Sequence, residues 1–380
     1  MKRFFTTAAL LLLAVSLQAQ TVRHPVIVPD IPGYVTLKGD LHIHTMFSDG
    51  QVWPVNRVNE AYLEGLDYIA ITDHLETKLR KQITAGIVNG DRDKSYEMAR
   101  DHGKGRGIIV IHGAEITRGM PPGHFNATFT TDNDPMGEVS DAEKNNQKAM
   151  LACLEIARSQ GAFLVWNHPN WSRQAPQETK WFKEHTEIYE RKLMDGIEIF
   201  NGYCGYAPEA HHWAVEKGLT IVSGTDSHQL VSLRNDITGG AFRPMNLTFA
   251  TERSEKGIHE ALKAGRNAVF ADDRVYGPET VLRPLLDQIL KIEKVSRDAK
   301  QVGIRVHNGT SIPVYLEKAA PDAYSYDRTI YIAPGADFSI RVTPANAKAG
   351  FPAGPVEIKY KATNFFVDAG VPLEYSIKVD

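Results

Sequence analysis

From about residue 30 onward, short β-branched runs alternate with stretches whose apolar positions recur at helical spacing. The runs are Val35–His44, Tyr68–Thr72, Ile108–His112, Phe163–Trp166, Gly196–Phe200, Thr220–Ser223 and Asn246–Ala250. Helical spacing fills Val55–Gly65, Glu143–Gln160 and Pro208–Lys217. Glycine closes these helices at Gly65, Gly161 and Gly218, because the residue after a helix often takes a left-handed conformation; Gly265 repeats the helix–Gly–strand pattern. Strand and helix alternating in this way predict parallel βα units, either an α/β barrel or a doubly wound sheet.

The pattern changes after about residue 276. One helical stretch, Val281–Ile292, precedes strand-like segments at Val302–His307, Ile312–Leu316, Thr329–Ile332, Phe338–Val342, Val356–Ala362 and Leu373–Val379. Gly, Pro, Asn and Asp separate them, which predicts a small antiparallel all-β unit of sandwich type over residues 277–380.

At the other end, Lys2 and Arg3 precede an apolar run, Ala8 to Leu17, which ends in Gln18-Ala19-Gln20. A basic start, a short apolar run and a small residue at the cut predict a signal peptide over residues 1–19. The expected location is periplasmic or secreted, with no membrane anchor after cleavage, since the run is short for a span.

Composition changes this picture little. The 380 residues are 42% hydrophobic and 23% charged, an ordinary globular balance. A formal net charge of -3 speaks against a nucleic-acid polymer as partner. The two cysteines, Cys153 and Cys204, have no spacing that dictates a pair and carry no assigned chemistry.

Chemistry enters at the strand ends. In Asp40-Leu41-His42-Ile43-His44 the two histidines share one face of a strand. Further runs end in Thr72-Asp73-His74, in Gly113-Ala114-Glu115, in Asn167-His168-Pro169 and in Thr225-Asp226-Ser227-His228. Imidazole and carboxylate groups delivered at the C-terminal ends of several strands converge where βα barrels build their sites. These groups ligate divalent metals, and a bridging carboxylate can hold two ions about 3.5–4 Å apart around a shared hydroxide.

In order along the chain, the runs D-L-H-I-H-T-x-F-S-D-G, T-D-H, G-A-E, N-H-P and G-T-D-S-H resemble the PHP (polymerase and histidinol phosphatase) superfamily over roughly residues 37 to 275. The resemblance implies a distorted seven-stranded βα (TIM-like) barrel, here spanning residues 30–276, and three divalent metals drawn from Zn, Mn and Fe. It implies His42, His44, Glu115 and Asp226 on a first metal, and Glu115, His124 and His168 on a second. Asp49, His74 and His228 would hold the third. His124 lies in a Gly/Pro-rich loop, with His102 and His112 as competitors.

Glu115, Asp226 and His228 are the expected catalytic groups. Asp40, Asp73 and Glu198 are candidates to orient the ligands, and Arg118 and Arg243 to pair with a substrate phosphate. Tyr203, His211 and His212 are candidate pocket residues, with at most one of the adjacent histidines facing in.

The whole chain is similar to exported PHP-type phosphodiesterases acting on small phosphate diesters. The expected reaction is attack of a metal-bridging hydroxide on the phosphorus of a small phosphate ester. Alternatives are a phosphomonoesterase of sugar or nucleotide phosphates, a carboxyl or carbamate ester hydrolase, and a non-catalytic metal- or glycan-binding protein.

Overall fold

The structure, a computed structural model, describes residues 23–76, 91–173, 178–319, 323–346, 351 and 354–380. The expected signal peptide therefore lies outside the described residues. No described helix is long and apolar enough to cross a membrane.

The chain forms a mixed α/β fold with one large sheet rich in parallel pairs and a second, antiparallel sheet. Strand β1 (Val35–Asp40) pairs in parallel with β2 (Tyr68–Ile71), which pairs in parallel with β3 (Ile109–Thr117). On the far side, β5 (Phe163–Trp166), β6 (Gly196–Asn201) and β8 (Thr220–Gly224) also run parallel, while the short β7 (Gly205–Tyr206) folds back antiparallel on β6.

Two places depart from uniform βα alternation. Strand β4 (His124–Thr128) sits antiparallel between β3 and β5 and follows β3 with no helix between them. Strand β9 (Met245–Ala250) pairs antiparallel with β1, and β10 (Asn267–Ala271) continues antiparallel beside it. The expectation of parallel units throughout is corrected accordingly. Segment His124–Thr128 was not expected as a strand, because it follows a Gly/Pro loop and is buried on both faces, so it shows no alternation.

Side chains tie β8 to β9 and β10. The buried amide of Asn246 accepts from Ser223 N at 3.0 Å and donates to Ser223 O at 2.7 Å. Asn267 donates to Ile221 O at 2.8 Å and to Asn246 Oδ1 at 2.9 Å. An asparagine amide carries one acceptor and two donors, so it can stand in for a peptide group of a neighbouring strand.

Helix α1 (Pro54–Glu64) starts on proline, whose missing N–H costs nothing in a first turn, and stops at Gly65 with φ 73. Its Val58 and Ala61 are fully buried. Helices α2 (Lys94–Arg106), α3 (Asp134–Ala142), α4 (Asn146–Ser159), α5 (Lys183–Glu190), α6 (Pro208–Lys217) and α7 (Glu255–Lys263) complete the outer layer. The helix expected over Glu143–Gln160 begins instead at Asn146. Asn145 accepts from Lys148 N at 3.0 Å and caps a new helix there.

Helix α8 (Glu279–Ile289) leads into the C-terminal β unit. One of its layers contains β14 (Val314–Lys318), β16 (Thr329–Ile332), β18 (Val356–Asp368) and β19 (Val371–Val379). The other is β12 (Leu290–Arg297), β13 (Val302–Asn308), β17 (Asp337–Pro344) and the short β15 (Tyr324–Ser325). Ile304, Val306, Ile358 and Ile377 are buried in one core with Val58, Ile69 and Leu247 of the preceding α/β part. Strand β11 (Arg274–Tyr276) pairs in parallel with β18, Val275 opposite Phe365, so the β unit extends the large sheet.

Candidate metal centre

The site segments lie at or near strand ends, with Glu115 inside β3 and His124 opening β4, and hydrogen-bond to their neighbours. Asp226 N donates to His42 O at 2.8 Å and His44 N to Ser227 O at 3.2 Å. Glu115 N donates to Asp73 O at 3.1 Å, and Leu75 N returns to Glu115 O at 3.0 Å. Asn167 N donates to His124 O at 3.0 Å. These ties fix the backbone from which the ligating side chains project. His168 and Asp226 carry φ of 31 and 53, a left-handed conformation that non-glycine residues pay to adopt. Gly224 is required where β8 crosses His42: a Cβ there would lie 2.3 Å from the His42 Cβ.

The side chains meet around Glu115, which is 1% exposed. Its Oε1 lies 3.1 Å from His124 Nδ1, 3.2 Å from His168 Nε2 and 3.5 Å from His42 Nε2. Its Oε2 lies 2.8 Å from His74 Nδ1 and 3.5 Å from His44 Nε2. Asp226 Oδ1 is 3.0 Å from His44 Nε2 and 3.4 Å from His42 Nε2. Asp49 joins from the first motif, 3.1 Å from His228 Nε2 and 3.5 Å from His74 Nε2.

All nine residues expected as ligands are thus gathered, in overlapping groups: His42, His44, Glu115; Glu115, His124, His168; and His44, Asp49, His74, His228, with His42, His168 and Asp226 closing the ring. Their donor chemistry fits divalent cations. Glu198 Oε1 takes the Nδ1 proton of His42 at 3.1 Å, and His44 Nδ1 faces Ser48 Oγ at 3.3 Å. That turns the two Nε2 atoms toward each other, 3.2 Å apart, among carboxylate oxygens. Acceptors so arranged repel unless a proton or a cation lies among them.

Electrostatics agree. Burial would raise the Glu115 carboxyl, but His74, His124 and His42 hold it well below the carboxylate range. Burial opposes charge on His42, and Asp226, Glu198 and Glu115 outweigh it, so its pKa is raised. Burial lowers His44 to about 4, and the neighbouring His74 adds to this.

The orienting candidates divide. Glu198 holds His42 through Oε1 and the His168 backbone N through Oε2 at 2.8 Å. Asp73 accepts from Thr45 N, Thr45 Oγ1 and Ser48 Oγ, each at 2.6 Å, and so reaches His44 through Ser48. Asp40 accepts from Thr225 Oγ1 at 2.7 Å and from the backbone N of His42 at 3.2 Å, fixing main chain rather than a ring.

Both arginine expectations are corrected. Arg243 is fully buried and holds Glu64 with two bonds of 2.6 and 2.5 Å, plus Asp40 at 3.0 Å, so its guanidinium is committed to the wall. Arg118 donates to Ser140 O at 2.5 Å and lies 3.9 Å from Glu76. Neither lines the cavity over the cluster. That cavity, about 450 Å³, is bordered by Trp171, Arg173, Tyr203 and Arg234 together with cluster residues.

Tyr203 therefore lines it as expected. His211 instead bonds the Tyr206 hydroxyl at 2.9 Å, and His212 faces Asp368 at 3.1 Å. The competitors His102 and His112 bond Asn59 and Asp93 away from the cluster. Cys153 and Cys204 are both free thiols.

Sequence reasoning missed Arg57. It is buried and donates to His44 O at 2.9 Å, Ser227 O at 2.7 Å and Gln229 O at 2.8 Å, clamping two ligand segments together. A cation beside the apolar stripe of α1 was the available signal.

No protein-family model matches the chain. Among solved structures, a two-domain protein from Bacteroides vulgatus containing a predicted PHP-like metal-dependent phosphoesterase is 39% identical. It superposes with a TM-score of 0.85 over 94% of this chain and 99% of that one. Among known sequences, the DNA polymerase/3'-5' exonuclease PolX of Bacillus subtilis is 24% identical over 53% of this chain. The match spans only 36% of that polymerase. An uncharacterized protein of Methanocaldococcus jannaschii is 26% identical over 53% of this chain and 85% of its own length.

Proposed function

The chain belongs to the PHP-like metal-dependent phosphoesterases, and on that premise we propose that it hydrolyses small phosphate diesters at a centre of three divalent cations, Zn, Mn or Fe. The observation that carries this is the pair of His42 and His44 Nε2 atoms, 3.2 Å apart among the oxygens of Glu115 and Asp226. His42, His44, Glu115 and Asp226 would hold one ion, Glu115, His124 and His168 a second, and Asp49, His74 and His228 the third. Cations bound there supply a water acidic enough to attack at neutral pH and charge to offset that of the phosphoryl oxygens.

The chain's own groups do the rest. Glu115 reaches all three ligand groups through its two oxygens, and Asp226 lies between His44 and His42. His228 donates from Nδ1 to the Asp226 carbonyl at 2.7 Å, so its Nε2 offers a lone pair and suits a ligand better than a general acid. Arg173 and Arg234 at the cavity wall are placed to receive phosphoryl oxygens. A cavity of about 450 Å³ exceeds a phosphate group and leaves room for organic substituents. We also propose that the mature protein acts in the periplasm or outside the cell, on the strength of its N-terminal pattern.

The test is paired hydrolysis of bis-p-nitrophenyl phosphate and p-nitrophenyl phosphate by the metal-loaded protein, with metal content measured on the same sample. Preferential cleavage of the diester supports the reading. Preferential cleavage of the monoester replaces it with a phosphomonoesterase, and metal loading without either cleavage removes the phosphoesterase reading for these substrates.

A further inference from the structure

Beside the cavity over the cluster lies a second one of about 500 Å³, and the two share Tyr203 and Arg234. The Arg234 guanidinium carbon stands 3.5 Å from the centre of the Tyr203 ring, and its Nη1 donates to Gly202 O at 3.2 Å. A cation on an aromatic face is held by the ring quadrupole, so the two side chains form one unit. Tyr203 also meets the His228 ring edge-on at 5.7 Å, and its hydroxyl accepts from His228 N at 3.3 Å. The pair is therefore a partition fastened to the cluster and facing both cavities.

Beyond the partition the walls include Phe200, Cys204, Val231, Asn235 and Asp272. The Asp272 carboxylate repels a second anionic group. Asn235, whose amide also donates to Val231 O at 3.4 Å, and the exposed carboxylate of Asp272 both offer polar atoms that a wholly apolar occupant would not match. A small group bearing hydroxyls satisfies both.

We propose that the second cavity holds the alcohol arm retained on the product, that this arm is a polyol, and that Tyr203 and Arg234 thereby sort diesters from monoesters. This rests on the phosphodiesterase reading. In the reaction, the oxygen of water bonds to phosphorus and the P–O bond to the arm at the cavity mouth breaks. That arm leaves as an alcohol carrying one proton of the water. The arm in the second cavity stays on the monoester product.

Cys204 offers a reporter that does not depend on turnover. It lines the second cavity as a free, half-buried thiol, whereas Cys153 is fully buried. The experiment follows N-ethylmaleimide labelling of Cys204 in the metal-loaded full chain, with glycerophosphoglycerol or glycerol 3-phosphate present, alongside hydrolysis of both. The diester is expected to slow labelling about tenfold at ten times its half-protecting concentration. Asn235→Leu and Asp272→Leu, with wild-type metal content, are each expected to lower the diester-to-monoester ratio of kcat/KM about tenfold. Hydrolysis of the diester with Cys204 labelled at its free rate overturns the assignment, as does an unchanged ratio in both variants. Protection of Cys204 without hydrolysis of either compound sinks the phosphodiesterase reading and leaves the cavity assignment standing. Neither protection nor hydrolysis overturns both.

Discussion

Glu198 accepts the Nδ1 proton of His42 at 3.1 Å and so decides which nitrogen of that ring faces the cluster. The same carboxylate holds the backbone N of His168, a residue at φ 31. A partner of this kind sets the tautomer and aim of a metal-binding ring. Glu198→Ala is expected to weaken divalent-metal affinity about 10- to 100-fold, read by competition with a chelator. Unchanged affinity would remove Glu198 from that role.

Arg57 joins the His44 and Ser227–Gln229 segments through three carbonyl oxygens. Replacing it with methionine keeps much of the bulk and deletes the donors; Ser227 O keeps His44 N and Gln229 O keeps Ser227 Oγ, but the His44 carbonyl loses its donor at about 1–3 kcal/mol. Arg57→Met is expected to lower the urea midpoint and to weaken metal binding together. A variant that loses stability yet binds metal normally would show that the clamp serves only the fold.

Arg243 is expected to matter for stability and not for substrate. It is buried between Glu64 and Asp40, and removing one member of such a group strands the others. Arg243→Ala should cost about 3–5 kcal/mol in denaturant unfolding. A variant of normal stability with a raised KM for phosphate esters would restore the substrate role that the structure removes.

Acid should act through His185 as well as through the cluster. Its Nδ1 accepts from Phe182 N at 3.0 Å and its Nε2 donates to Pro122 O at 2.7 Å, so the folded state needs the neutral ring. Burial lowers its pKa from 6.5 to about 4. The unfolded chain thus binds the proton more readily, and this contribution is complete above pH 6.5 and shrinks as pH falls towards 4. The loss is on the order of 3 kcal/mol. The stability difference between wild type and His185→Gln, measured without metal, should narrow over that interval. A difference constant with pH would contradict it.

Much of the candidate site was legible because a period-two strand pattern and an apolar run ending in His, Asp or Glu are local signals. His42, His44, His74, Glu115, His168, Asp226 and His228 all follow that form. What stayed hidden depends on distant partners. Arg243 meets Glu64 across 179 positions, and nothing near Arg243 tells a buried ion pair from a phosphate ligand. Arg173 and Arg234 lie in loops whose path only the folded chain reveals. The strand-to-strand ties through Asn246 and Asn267 were illegible for the same reason, since a buried asparagine in a strand looks like any polar position until its partner strand is known. The antiparallel β4 lacked alternation, and β12 is mostly exposed, so neither carried the apolar pattern that marks a strand.

The central claim is that Glu115 organises a metal centre that hydrolyses phosphate esters. The most direct measurement is metal content and bis-p-nitrophenyl phosphate hydrolysis for wild type and Glu115→Ala, stripped of metal and then supplied with Mn or Zn. The account predicts about three ions per chain and restored turnover for wild type, with both lost in the variant. Full turnover in Glu115→Ala, or turnover in stripped wild type before metal is returned, would contradict it.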